Sequence, residues 1–136
     1  MSHPFFDFHK AIFKNCSKLT NLIIPNFVSS ISDSAFYGCS SLTQIVIPSS
    51  LISIDSFAFF KCISLVSILI PPSVISIGKF AFSKCIHLTE ISIQSSIKSI
   101  ENSVFSGCSS LKQISIPSSV ESLGIFNRIW NNYIFK

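Results

Sequence analysis

The apolar positions of the chain recur at a fixed long step rather than in a local rhythm. Leu19, Leu42, Leu65, Leu88 and Leu111 lie 23 residues apart. Three residues after each comes Leu22, Ile45, Ile68, Ile91 or Ile114, and two further on Ile24, Ile47, Ile70, Ile93 or Ile116. This Leu-x-x-Leu-x-Leu frame predicts a short β-branched strand whose alternate side chains point inward. Pro25, Pro48, Pro71 and Pro117 end that strand, because proline brings no amide donor to a ladder; Gln94 is the one departure. A second extended piece follows on the return side, from Val28, Leu51, Val74, Ile97 or Val120 to Ile31, Ile54, Ile77, Ile100 or Leu123. The unit closes on Ala35-Phe36, Ala58-Phe59, Ala81-Phe82 and Val104-Phe105, with Phe13 the remnant of an earlier copy. This pair is expected to turn the chain as a helical or 3₁₀ turn, with Phe as the large core filler.

A constant period of this length and frame is that of a leucine-rich repeat solenoid. Each coil is too thin to bury its own apolar residues, so stability comes from stacking on neighbours about 4.8 Å away. The expected fold is therefore α/β or mainly β, with right-handed coils, short parallel strands and short helical or 3₁₀ turns. Beyond Gly124 the pattern changes. Ile125, Phe126, Ile129, Trp130, Tyr133 and Ile134 follow a helical period, with Asn127, Arg128, Asn131 and Asn132 opposite. A capping helix over 124–136 is expected; a membrane-surface helix would want a basic face, and only Arg128 precedes Lys136. Phe5, Phe8, Ile12 and Phe13 show a weaker helical pattern at the other end. The division is an N-terminal cap and partial repeat over 1–15, repeats over 16–123 and a C-terminal cap over 124–136, in one domain.

Segments such as Gly38-Cys-Ser-Ser-Leu-Thr-Gln-Ile-Val-Ile-Pro-Ser-Ser-Leu51, Ala81-Phe82-Ser83-Lys84-Cys85 and Pro71-Pro72-Ser73-Val74-Ile75-Ser76-Ile77-Gly78 resemble BspA-like leucine-rich repeats. These occur in surface proteins of bacteria and parasitic protists. The resemblance covers about residues 11–124. It implies the repeat fold and, for characterised members, adhesion to host proteins or cells. It carries over no catalytic or binding residue, because the shared columns are structural.

Composition sharpens this picture. Only 12% of residues are charged and 48% are hydrophobic, against roughly 25% charged in an average domain. Such a chain is not disordered, and no apolar run approaches the roughly 18–20 residues of a membrane span. Asp7 interrupts the place of a secretory h-region, so no signal peptide is expected. The family resemblance points to the cell surface, whereas the missing leader leaves a cytoplasmic location open. The net charge of +4 is scattered, with Lys61, Lys79 and Lys84 the nearest thing to a cluster. That is no dense basic stripe, and nucleic acid is not expected as a partner.

The obvious chemical lure is Cys16, Cys39, Cys62, Cys85 and Cys108, again 23 residues apart. Zinc sites need convergent ligands at spacings such as C-x₂-C, and thiols also pack well as small buried groups. Five reduced, slowly reacting core cysteines are expected, with no metal and no cofactor. His3, His9 and His87, with Asp7, Asp33 and Asp55, share no motif spacing, and no serine lies on a G-x-S-x-G elbow. No catalytic residue is assigned. Ser30, Ser53, Ser76, Ser99 and Ser122 form a column expected to hydrogen-bond between coils. Asn15-Cys16-Ser17 fits a glycosylation sequon but contains a core cysteine.

Function is expected on the positions that vary and point outward. Ile23, Val46 and Leu69 should stack as an exposed apolar stripe, flanked by Gln44, Ser67, Glu90, Ser92 and Gln113. Apolar patches rimmed by polar residues tend to mark protein contacts, and solenoids present extended ones. The same face would also serve self-association. The leading expectation is a non-enzymatic protein-binding module of adhesion or surface-antigen type, with a host or extracellular-matrix protein as ligand. An intracellular scaffold and a purely structural spacer are the alternatives. The stripe is the one part of the apolar excess that burial between coils leaves unexplained.

Overall fold

The alternation of inward and outward residues after each repeated leucine produces a strand in every coil: β2 (Asn21–Ile23), β4 (Gln44–Val46), β6 (Ser67–Ile70), β8 (Glu90–Ile93) and β10 (Gln113–Ile116). In the computed structural model, residues 6–94, 96–101, 103–123 and 134–135 are described. The return side carries β1 (Phe6–Phe8), β3 (Val28–Ile31), β5 (Ser53–Ile54), β7 (Ser76–Ile77), β9 (Ser99–Ile100) and β11 (Ser122–Leu123), and β12 (Ile134–Phe135) closes the order. Every pairing is parallel. The register follows the repeat, as in Leu22↔Ile45, Ile68↔Ile91↔Ile114 and Ile31↔Ile54↔Ile77. A parallel solenoid is what the period requires, and it is a wholly β one in the described residues.

Two sheets would run the length of the stack if pairing were continuous, but each is interrupted once. One side divides into β2–β4 and β12–β10–β8–β6, the other into β1–β3–β5–β7 and β11–β9. The interruptions fall at different coil junctions. Between the sheets lies one continuous core. Leu42, Leu65 and Leu88 are fully buried in it, as are Phe36, Phe59 and Phe82. The Phe rings stack at 5.2 Å and 5.1 Å with nearly parallel planes, and Phe13 and Phe105 extend the column at 5.3 Å and 5.8 Å.

The turns are not helical as expected. Ser34, Gly38, Phe57, Lys61, Phe80 and Lys84 all have left-handed φ, between 58° and 72°. A left-handed residue every few positions stops right-handed helix from propagating. Instead the amides alternate in direction. Those of Ser34, Phe36 and Gly38 donate to the carbonyls of Ser56, Ala58 and Phe60 in the next coil, while those of Ala35, Tyr37 and Cys39 donate back to Ser32, Ser34 and Phe36. The turn thereby tightens within its coil and bonds to its neighbour at once.

At the N-terminal end the expected helical pattern gives way to a strand. Phe6–Phe8 is a strand, pairing Phe6↔Val28 and Phe8↔Ile31 with an irregularity between Phe6 and Asp7. The apparent helical spacing there came from one strand and one turn of a further coil. At the other end, 124–133 lie outside the described residues. Ile134 and Phe135 pair in parallel with Ser115 and Ile116, so the expected helix does not reach them.

Candidate functional site

Outward strand positions bring the expected site residues onto one side of the stack, in two separately registered blocks. Ile23 pairs with Val46 across β2 and β4, and Leu69 with Ser92 across β6 and β8. Ile23, Val46 and Leu69 are 75%, 49% and 52% exposed. Gln44, Ser67, Glu90 and Gln113 are exposed beside them, and Ser92 is half-buried. Where β4 and β6 part, a depression of about 240 Å³ opens between Val46 and Leu69, with Gln44 and Ser67 on its walls. A second, of about 200 Å³, adjoins it between Ser67, Leu69, Glu90 and Ser92. Both are small for a drug-sized ligand, which takes roughly 300–1,000 Å³, and suit single side chains of a protein partner.

Apolar exposure is not confined to that stripe, which corrects the expectation from sequence. Ile52 and Ile75 stand exposed on the return side, and Ile63 and Ile86 beyond the cysteines. The excess therefore encircles the two middle coils. The reason is geometric: a thin coil has outward positions on every side, and these coils fill several with Ile, Val, Leu and Phe.

The turn edge carries a cluster that the repeat pattern concealed. Phe57 stacks on Phe80 at 5.0 Å and meets Phe60 edge-to-face at 5.3 Å, and Phe60 stacks on Tyr37 at 4.9 Å. Lys14 Nζ lies 4.7 Å from the Tyr37 ring centroid, and Lys61 and Lys84 lie 5.6 Å and 5.7 Å from that of Phe60. The signal that could have found it is a departure from the columns: Phe57 and Phe80 stand where other copies have Ala11, Ser34 and Ser103.

The cysteines form an inert ladder. The thiols of Cys39, Cys62, Cys85 and Cys108 donate to the carbonyls of Phe13, Phe36, Phe59 and Phe82, at 3.0–3.2 Å. Burial pushes Cys39 up to about 11 and Cys108 to about 12, and raises Cys62 and Cys85 further, with neighbouring cysteines adding to the rise at Cys62 and Cys85. All five cysteines are free, and only Cys16 is part-exposed. A thiol held protonated neither attacks nor ligates. No three His, Cys, Asp or Glu side chains converge as a metal site among the described residues.

Among the described side chains, the bonds between coils come from other columns than the expected serines. Ser50 and Ser119 donate to the carbonyls of Val28 and Ile97, Thr43 and Thr89 to those of Thr20 and Val66, and Ser64 to that of Ser40. His87 joins this set, its Nδ1 2.6 Å from the Ile63 carbonyl, which places the proton on Nδ1. It is thus a coil-to-coil link with no acid beside it in that contact.

The BspA type leucine rich repeat region, in six copies, matches residues 7–132. The chain belongs to this family. Six copies agree with the partial coil ahead of Cys16, because Phe6–Phe8 occupies the return strand of that BspA-type unit. Among solved structures, it is similar to a leucine-rich repeat protein of T. pallidum at 29% identity and a TM-score of 0.79, over 89% of this chain and 63% of that one. It also resembles a leucine rich cell surface protein of Faecalibacterium prausnitzii at 27% identity and 0.64, over 87% of this chain and 40% of that one. A leucine-rich repeat protein of Bacteroides ovatus gives 28% and 0.59, over 88% and 40%. The BspA-type stack here thus spans under two thirds of these relatives' length. No curated protein matches it. No helix of the described residues is long and apolar enough to cross a membrane.

Proposed function

We propose that this BspA-type stack is a non-enzymatic protein-binding module of adhesion or surface-antigen type, working through its outward strand face. The observation that carries the reading is the exposure of Ile23, Val46 and Leu69 on three successive strands beside two side-chain-sized depressions. Desolvating three such residues favours association by about 25 cal/mol per Å², and polar Gln44, Ser67 and Glu90 at the rim supply direction. The cell-surface relative in Faecalibacterium prausnitzii supports a surface setting. The spacer alternative is weakened by the same exposure, since a spacer gains nothing from uncovered Ile and Leu.

The test uses a panel of purified extracellular-matrix proteins on a biosensor surface, with sedimentation velocity run in parallel for self-association. At least one protein, or a second copy of the chain, should bind saturably. The triple variant Ile23→Ser, Val46→Ser, Leu69→Ser should abolish that binding while keeping the native circular dichroism. Binding that survives the three substitutions would reject the strand face.

A further inference from the structure

The geometry points to a second binding surface on the turn edge, shaped for an acidic, apolar polypeptide segment. The edge is the part of each coil just before its cysteine, covering 10–16, 33–39, 56–62, 79–85 and 103–108. It holds Lys10, Lys14, Lys61, Lys79 and Lys84 against Asp33, with Asp55 and Glu101 at the starts of their turns, so the ridge keeps a net positive charge. Lys14, Lys61 and Lys84 are exposed there, gathered over Tyr37 and Phe60.

Backbone conformation gives a separate reason to read the ridge as more than scaffold. Phe57, Lys61, Phe80 and Lys84 all sit at φ near 60°, where glycine is favoured. The conformation belongs to the turn of the repeat, since Ala11, Asn15 and Ser34 share it, and in the column of Lys61 and Lys84 the residues Gly38 and Gly107 show what the backbone alone would take. The two middle coils place large side chains there against a conformational cost, and those side chains build the cluster. Strained positions of this kind concentrate where a site needs its side chains held.

The class of ligand follows from which ring surfaces are left open. Nucleic-acid bases bind by stacking on aromatic faces. Here the faces are engaged: Phe57 with Phe80, Phe60 with Tyr37, and ammonium groups over Tyr37 and Phe60. Exposed ring edges carry the positive side of the quadrupole and, with the lysines, attract carboxylates, while aliphatic side chains pack across the outer rim of the rings. Four coils about 4.8 Å apart match an extended segment of about five residues at roughly 3.3 Å each.

A labelled, end-blocked peptide of alternating Glu and Leu, about six residues long, tests this by fluorescence anisotropy. Saturable binding is expected, weakening as salt rises from about 0.05 to about 0.3 M. Lys61→Gly with Lys84→Gly should weaken it about fivefold or more. Both substitutions relieve left-handed strain, so the fold is kept. Lys98→Gln with Lys112→Gln removes the same charge elsewhere and should leave the affinity unchanged. Phe80→Gly should weaken binding without unfolding. The inference is overturned by no saturable binding, by equal losses in the two lysine pairs, or by an unaffected Phe80→Gly. It is also overturned if oligothymidylate or a sulfated polysaccharide binds more tightly than the peptide and depends on Lys61 and Lys84. The strand-face triple variant belongs to a different surface, so the two readings fail independently.

Discussion

Phe59 is where the stacking account is most exposed to refutation. It is fully buried, with Phe36 at 5.2 Å and Phe82 at 5.1 Å, planes within 5° of parallel. Replacing a buried Phe by Ala costs about 3–5 kcal/mol through lost transfer and the cavity left behind. Phe59 should lie at the upper end, because both neighbouring coils are held at a spacing set by strand pairing and cannot close the gap. Phe59→Leu keeps most of the volume but loses two ring pairs, each worth about 0.5–1.5 kcal/mol, and should cost roughly 2 kcal/mol. Urea unfolding followed by far-ultraviolet circular dichroism measures both. With a slope of about 2 kcal/mol/M, the Ala variant should lower the midpoint by about 2 M and the Leu variant by about 1 M. A Leu variant as stable as the parent would mean that ring stacking contributes nothing. An Ala loss below about 2 kcal/mol would mean that the coils relax, and that the core is not a shared column.

Gly78→Ala should cost about 2 kcal/mol, because a Cβ there would lie 2.7 Å from the Asp55 carbonyl carbon and against the Ser56 amide nitrogen, both backbone; an unchanged thermal midpoint would contradict it. Lys61→Gly or Lys84→Gly should each raise stability by about 0.5–1 kcal/mol, the difference between left-handed strain and glycine's extra chain entropy, and a loss on urea titration would refute the strain. A thiol reagent applied to the native protein at mild alkaline pH should modify Cys16 at most, and all five cysteines only after denaturation; rapid labelling of four or five would sink the buried ladder. Stability should fall at high pH. Cys39 at about 11 and Cys108 at about 12 are raised from 9.0 by burial, so the unfolded chain gives up thiol protons first. Their contribution is complete below about pH 9 and is lost as pH climbs through 11 and 12; chemical denaturation at stepped pH checks it, and a flat profile from 9 to 12 would reject it.

The long period made strands, register and core legible from sequence, because each repeated column must occupy the same place in every coil. Leu42, Ile45 and Phe36 could be placed inside with no other information. The turn was less legible: Ala-Phe pairs suit a helical turn, and nothing in Lys61 or Phe80 announces a left-handed backbone. Only Gly38 and Gly107, read as the same column, hinted at it. The N-terminal segment misled because Phe5, Phe8, Ile12 and Phe13 are spaced like a helix, while Phe8 ends a strand and Ile12 and Phe13 lie in the turn that follows. The strand face was legible because it is periodic. The aromatic ridge was not, because Phe57, Phe60, Phe80 and Tyr37 matter where they break the period.

The two interruptions in strand pairing bear on how the stack carries force. Between β4 and β6 the pairing stops, yet β5 and β7 remain joined across that junction. One junction later β7 and β9 are unjoined while β6 and β8 hold all four residues in register. The turn amides tie both junctions, through Phe59 to Ala81 and Phe82 to Val104. The joints are staggered like those of brickwork, so no flat crack can run between two coils. A pull along the axis would open each junction as a hinge on one side, and the molecule would flex like a jointed rod before any coil came away.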